Sequence, residues 1–161
     1  AKRNLACQEA SGEIIVHWDD DDWSADRRIA YQVSELLRDP ADICGLDRIL
    51  YHEPASGRSW QYVYPEGRTP WVTVLCYTKS FWARNRFPED RPYGADNGFI
   101  WSGRPKRILT LRDSSFFVAI IHSTNVSPKQ TDHLFWHPYP TETVRALMGD
   151  DYRFYAPDSR Y

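Results

Sequence analysis

Cysteine is scarce in this sequence: Cys7, Cys44 and Cys76 are widely separated, odd in number, and form no C-x-x-C pair. Such a set argues against a disulfide framework or a zinc ribbon and suits a reducing compartment, so a cytoplasmic protein is expected. No apolar run approaches the ~20 residues of a membrane-spanning helix, and no signal peptide is read. Basic residues form no dense stripe and the net charge is -2, so nothing electrostatic favours a nucleic-acid partner. Low-complexity tracts and repeats of fixed period are also missing, which removes disordered and solenoid architectures.

What remains is the composition of a globular chain, and 161 residues suit one domain, expected over 1–161. Ten Tyr and seven Trp supply flat faces that pack in a core or against a sugar ring. Residues 1–10 carry no strong breaker and Gly12 follows, which predicts a helix already under way at Ala1 and a chain whose beginning is missing. Ile14, Ile15 and Val16 form a short unbroken apolar run, the pattern of a strand buried on both faces. Ser24 is placed to cap a following helix, in which Ile29, Val33, Leu36 and Leu37 fall at helical spacing until Asp39-Pro40. Strand, acidic turn and amphipathic helix make one α/β unit.

Farther on, residues 47–53 and 58–64 read as two strands joined by the turn Pro54-Ala55-Ser56-Gly57. Residues 72–77, 107–111 and 116–121 read as further strands. Short helices are expected at 80–84, within 94–103 and at 140–148, with an extended tail over 152–155.

The turn after Val16 carries Asp19, Asp20, Asp21 and Asp22 between Trp18 and Trp23. Four adjacent carboxylates repel one another unless a cation or water neutralises them. In an extended segment Asp19 and Asp21 point the same way, so one edge of the cluster can hold one divalent ion. Oxygen ligands favour Mg²⁺, Mn²⁺ or Ca²⁺, and an EF-hand is excluded because Gly and Glu are absent at the sixth and twelfth positions from Asp19. Open α/β sheets bind ligands beyond the carboxyl ends of their strands, which is where this cluster falls. A solvated acidic turn that caps a helix is the plainer reading of such a run.

The residues Ala1-Lys2-Arg3-Asn4, then Ala10-Ser11-Gly12-Glu13-Ile14-Ile15, then Trp18-Asp19-Asp20-Asp21-Asp22-Trp23 together resemble family 2 glycosyltransferases of GT-A fold. In that family a helix ending Ala-x-Gly-Glu leads into a strand and an Asp-x-Asp motif that grips metal and sugar nucleotide. The resemblance implies an α/β fold: a partial GT-A, Rossmann-like mixed sheet flanked by helices, with its N-terminal nucleotide-binding units missing. It places Asp19 and Asp21 on the metal, Mn²⁺ or Mg²⁺, with Asp22 adjoining and Asp19 and Asp20 toward the donor.

The segment Tyr93-Gly94-Ala95-Asp96-Asn97-Gly98-Phe99 resembles the family's Glu-Asp segment. Asp96 takes the place of the catalytic base, and Ala95 departs where glutamate is common. His122-Ser123-Thr124-Asn125-Val126-Ser127 resembles a late histidine region whose imidazole completes the metal shell. Trp82 and Trp101 are candidate sugar platforms, with core packing as the alternative. His17, His52, His133 and His137 have no ligand spacing, and no Gln-x-x-Arg-Trp segment marks a membrane synthase.

The implied reaction is metal-dependent, inverting transfer from a nucleoside diphosphate sugar to a carbohydrate or other hydroxyl acceptor. Two other readings stay open: a non-catalytic carbohydrate-binding or vestigial transferase-like module, and a metal-dependent phosphoesterase. An exposed sheet edge at Ile14–Val16 would also allow a homodimer.

Overall fold

A computed structural model describes residues 2–64, 73–89, 95–101, 106–125 and 127–156. Within them, apolar strands pair into two mixed sheets, each belonging to one of two compact units, and helices flank the sheets. The units interleave along the chain: one takes 1–18, 29–47 and 69–112, the other 19–28, 48–68 and 113–161. Among the described residues no helix is long and apolar enough to cross a membrane.

In the first unit, helix α1 (Lys2–Glu9) leads to strand β1 (Ile14–Val16). Strands β3 (Ile43–Leu46), β6 (Thr73–Thr78) and β7 (Ile108–Thr110) complete a sheet of order β1-β6-β3-β7. β1 is thus an edge strand, half-buried throughout, and not a strand covered on both faces. An unbroken apolar run marks burial only where the sheet supplies neighbours on both sides. Tyr77, Phe81, Phe87 and Phe99 fill the core beside Cys7, Ile43 and Ile100. The Phe87 and Phe99 rings stack with centroids 4.0 Å apart.

Buried Asn4 ties this unit together. Its Nδ2 donates to the Phe87 carbonyl and to Glu89, and its Oδ1 accepts from Phe87 N–H and Trp82 Nε1. α1 is thereby fixed to helix α3 (Lys79–Arg84), which Thr78 caps by accepting from Phe81 N–H. β6 carries one extra residue opposite β3, and Val74 at that bulge has φ +56°, an unusual value for a β-branched side chain. Gln32, fully buried in helix α2 (Arg28–Arg38), donates to the Val74 carbonyl at 2.7 Å.

That contact explains a departure from the sequence pattern. Gln32 and Leu36 are buried, whereas Ile29 and Leu37 are 51% and 65% exposed. Nor does Ser24 cap α2. It lies in strand β2 (Trp23–Ser24), and its hydroxyl accepts from Arg28 Nη1 at 2.8 Å, so the helix starts four residues later.

The second unit is a sheet of order β2-β8-β4-β5-β9. The hairpin of β4 (Arg48–Glu53) and β5 (Arg58–Val63) stands where its turn residues place it, with Gly57 at φ +65°. β8 (Phe117–Ile120) lies parallel to β4 and antiparallel to β2, while β9 (Trp136–Tyr139) closes the far edge. The sequence pattern misses β2, β3 and β9. β9 holds a proline and two exposed residues, which fits an edge strand and defeats an apolar pattern.

Leu50, Val118 and Ile120 pack against Val144 and Met148 of helix α5 (Thr141–Met148). Gly149, at φ +58°, ends α5, and residues 149–155 then wind as a 3-10 helix where an extended tail was expected. Tyr152 is held in that turn because its hydroxyl reaches His52 Nε2 at 3.0 Å. His52 is fully buried and also bonds Ser59 Oγ at 2.9 Å.

Two predictions follow from this packing. A Cβ on Gly98, in helix α4 (Ala95–Trp101), would meet Pro88 Cγ at 2.5 Å. Gly98→Ala should therefore lower the melting temperature, with strain of ~1–3 kcal/mol exceeding the helix-propensity gain of ~1 kcal/mol; calorimetric melts check it. Burial also lowers the pKa of His52 below its ordinary 6.5. The unfolded chain therefore takes up that proton first, so this contribution to stability is complete above pH 6.5 and declines as pH falls below it. His52→Gln should be less stable at neutral pH but show a flatter stability profile between about pH 7 and 5, measured by urea titration.

Candidate functional site

The acidic run is a turn and not an extended segment, so Asp19 and Asp21 are not set on one edge by strand alternation. What orders it is β2. Trp23 pairs with Val118 and Ser24 with Phe117, which lays the start of β2 beside the carboxyl end of β8. Trp23 is buried and its indole N–H donates to Asp151 at 3.0 Å, anchoring the turn from below. Arg28 is buried with its guanidinium over the Phe117 ring, holding the other end of β2.

Asp22 then turns inward and its Oδ1 accepts from Ile120 N–H at 2.8 Å. Burial pushes its pKa up to about 6, opposed by that hydrogen bond and reinforced by the Asp21 and Asp19 charges. Asp19, Asp20 and Asp21 face solvent. His122, just past β8, brings Nε2 to 2.8 Å from Asp21 Oδ2, although the two residues are 101 positions apart.

The surroundings of that imidazole are specific. Its Nδ1 lies 2.8 Å from Thr124 Oγ1, and its own backbone N–H donates to Asn125 Oδ1 at 3.0 Å. Asn125 Nδ2 donates to the Ile120 carbonyl and also lies 2.8 Å from His122 Nε2. Nε2 cannot serve both neighbours as a neutral ring: it either donates to Asp21 or accepts from Asn125. In the second tautomer its lone pair and the Asp21 carboxylate face each other, an arrangement that a proton or a metal cation stabilises. Among the described residues no three His, Cys, Asp or Glu side chains converge in a metal-holding group. The donor chemistry of the Asp21–His122 pair, one carboxylate and one imidazole, nonetheless fits a divalent transition-metal ion.

Asp96 lies in the other unit, in the first turn of α4. It is half-exposed and accepts from Arg3 Nη1 at 2.7 Å, an ion pair that links α4 to α1. Tyr93 and Gly94 of its motif lie outside the described residues, as does Val126 of the histidine segment. Trp82 is 3% exposed, carries the Arg86 guanidinium 4.7 Å from its ring centroid and donates to Asn4. It belongs to the core and offers no free face to a sugar. Trp101 is half-buried against the same core.

The sequence reading passed over a second feature of the acidic unit. Tyr51, Tyr62, Tyr64, Phe135 and Trp136 line an open cleft of about 350 Å³ together with Lys129, Gln130 and His133. Its only sequence signal was the alternation of Tyr62 and Tyr64 with the hairpin's other face. Lys129 Nζ lies 5.9 Å from the Tyr51 ring centroid.

No curated protein matches the chain. The profile of glycosyl transferase family 2 does match it, over residues 1–103, a span that takes in α1, the acidic turn and α4. With well over half of its length inside that match, the chain belongs to glycosyl transferase family 2.

Proposed function

We propose that this chain serves a metal-dependent, inverting transfer of a sugar from a nucleoside diphosphate donor to an acceptor hydroxyl. The observation that carries the proposal is the meeting of Asp21 and His122 at 2.8 Å beyond the carboxyl end of β8. A carboxylate from the acidic turn and a distant imidazole are brought together there by the pairing of β2 with β8 and by the bond from Ile120 N–H to Asp22. A solvated capping turn gives no reason for that convergence, since the helix it would cap starts after β2.

In this reading Asp21 and His122 would hold the ion, Asp19 and Asp22 would add oxygens on closing around it, and Asp20 would lie toward the donor sugar. A divalent ion held there would supply positive charge toward the diphosphate of the donor. Asp22 has the added task of keeping β2 registered on β8, because one of its oxygens is committed to Ile120 N–H. Thr124 and Asn125 orient the imidazole, as outer-shell partners do for metal-binding histidines.

Asp96 is the proposed base. As the acceptor oxygen forms its bond to the anomeric carbon, the bond from that carbon to the diphosphate oxygen breaks and the hydroxyl proton passes to the Asp96 carboxylate. Arg3 orients that carboxylate until the acceptor arrives.

Two measurements test the assignment. Calorimetric titration with Mn²⁺ should show Asp21→Asn and His122→Ala each weakening binding by at least the ~10–100-fold that loss of an outer-shell partner costs. Equal affinity in both variants and the wild type would remove the metal from this turn. In steady-state assays with a panel of nucleotide sugars, Asp96→Asn should cut turnover by ~100-fold or more and leave donor binding nearly intact. Turnover retained with saturating acceptor would place the base elsewhere.

A further inference from the structure

The aromatic cleft of the second unit has no part in metal binding or proton transfer, yet its composition is that of a ligand site. One face of the sheet builds most of it. Register places Tyr62 beside Trp136 across β5 and β9, and Tyr51 shares that face on β4. The opposite face, carrying Leu50 and Val118, is the one packed against α5. The remaining wall is the segment 128–135, which begins shortly after His122 and supplies Pro128, Lys129, Gln130, His133 and Phe135.

The rings do not form a flat slot. Tyr51 and Trp136 are tilted at 50°, and Tyr62 meets Tyr64, Phe135 and Trp136 at 80°, 76° and 68°. Aromatic faces of this kind offer apolar surface against which the C–H patches of a pyranose pack. Its equatorial hydroxyls need donors and acceptors around the rim, and Gln130, His133, Lys129 and the tyrosine hydroxyls provide both. Among the described residues no carboxylate lines the cleft. Burial raises the pKa of the Tyr51 phenol above its ordinary value, so it remains a donor as well as an acceptor. The volume lies at the small end of ligand sites, ~300–1,000 Å³, and the opening leaves room for a chain to continue outward.

Tyr51 pairs with Ala119 on β8, next to the Ile120 whose N–H donates to Asp22, so the cleft adjoins the acidic turn within one unit. We infer that this cleft is a carbohydrate subsite, in which a pyranose ring of the acceptor stacks on Trp136 and Tyr62 while Gln130 and His133 bind its hydroxyls. The inference rests on the transferase reading for the word acceptor, but not for the binding itself.

The test is saturation-transfer NMR on the protein with methyl glycosides of glucose, galactose, mannose, N-acetylglucosamine and glucuronic acid, followed by titration of the strongest. At least one glycoside should receive saturation at its ring protons. Trp136→Ala should weaken its affinity about tenfold, the order of one lost stacking surface, and Asp21→Asn should leave it unchanged. Tyr64→Ala, beyond the end of the β5 ladder, repeats the test without touching strand pairing and should also weaken binding. Saturation absent for every glycoside, or undiminished in a folded Trp136→Ala and in Tyr64→Ala, would overturn the inference. Displacement of the bound glycoside by uridine monophosphate would assign the cleft to a nucleotide and overturn it equally. Nucleotide-sugar turnover with no glycoside binding would sink the subsite alone. Glycoside binding without turnover or Mn²⁺ affinity would sink the transferase reading and leave the subsite standing.

Discussion

Two backbone pairs, Trp23 with Val118 and Ser24 with Phe117, carry most of what is chemically distinctive in this chain. β2 is only two residues long and could not hold by ladder bonds alone. It holds because each end is fastened: Trp23 by burial and its bond to Asp151, and Ser24 by buried Arg28. The Ile120 N–H then finds the Asp22 carboxylate instead of another strand, and the side chains on either side of that bond are Asp21 and His122. Without the short strand the four aspartates would be a solvated loop.

Asp22 shows how one carboxylate can be drawn two ways. Its hydrogen bond from Ile120 favours the anion, while burial and two acidic neighbours favour the proton, and burial dominates enough to leave the group near a pKa of about 6. Lys129 weighs on the anionic side from the segment that also walls the aromatic cleft.

In the other unit the organising device is polar and buried. Asn4 satisfies two donors and two acceptors at once, fixing α1 to α3 and to the segment that carries Phe87. Phe87 stacks on Phe99 of α4, and Gly98 lets α4 approach Pro88. Asp96 is thus held by packing three residues along its helix and by Arg3 from α1. A buried network of this kind costs stability if any member is lost, which makes it a firm support for one oriented side chain.

The sequence by itself determined the local pieces: the first helix, the hairpin at 48–63 with its Gly57 turn, the strands at 73–78, 108–110 and 117–120, and the helix at 141–148. Each follows from neighbours a few residues apart, where spacing, turn chemistry and capping decide. It also marked Asp19–Asp22, Asp96 and His122 as chemically unusual. It misjudged β1, which looks like a buried strand but lies at an edge, and it missed β2, β3 and β9. It also put Ile29 and Leu37 inside, where the fold chose Gln32 to meet the Val74 carbonyl at a bulge. The resemblance put Asp21 and His122 on one metal, but only the tertiary structure set them 2.8 Å apart, made Trp82 core, and gathered tyrosines from β4 and β5 into a cleft with Trp136. Those outcomes depend on strand order and register between segments dozens of residues apart, and no local pattern encodes which edge of a strand its partner will take.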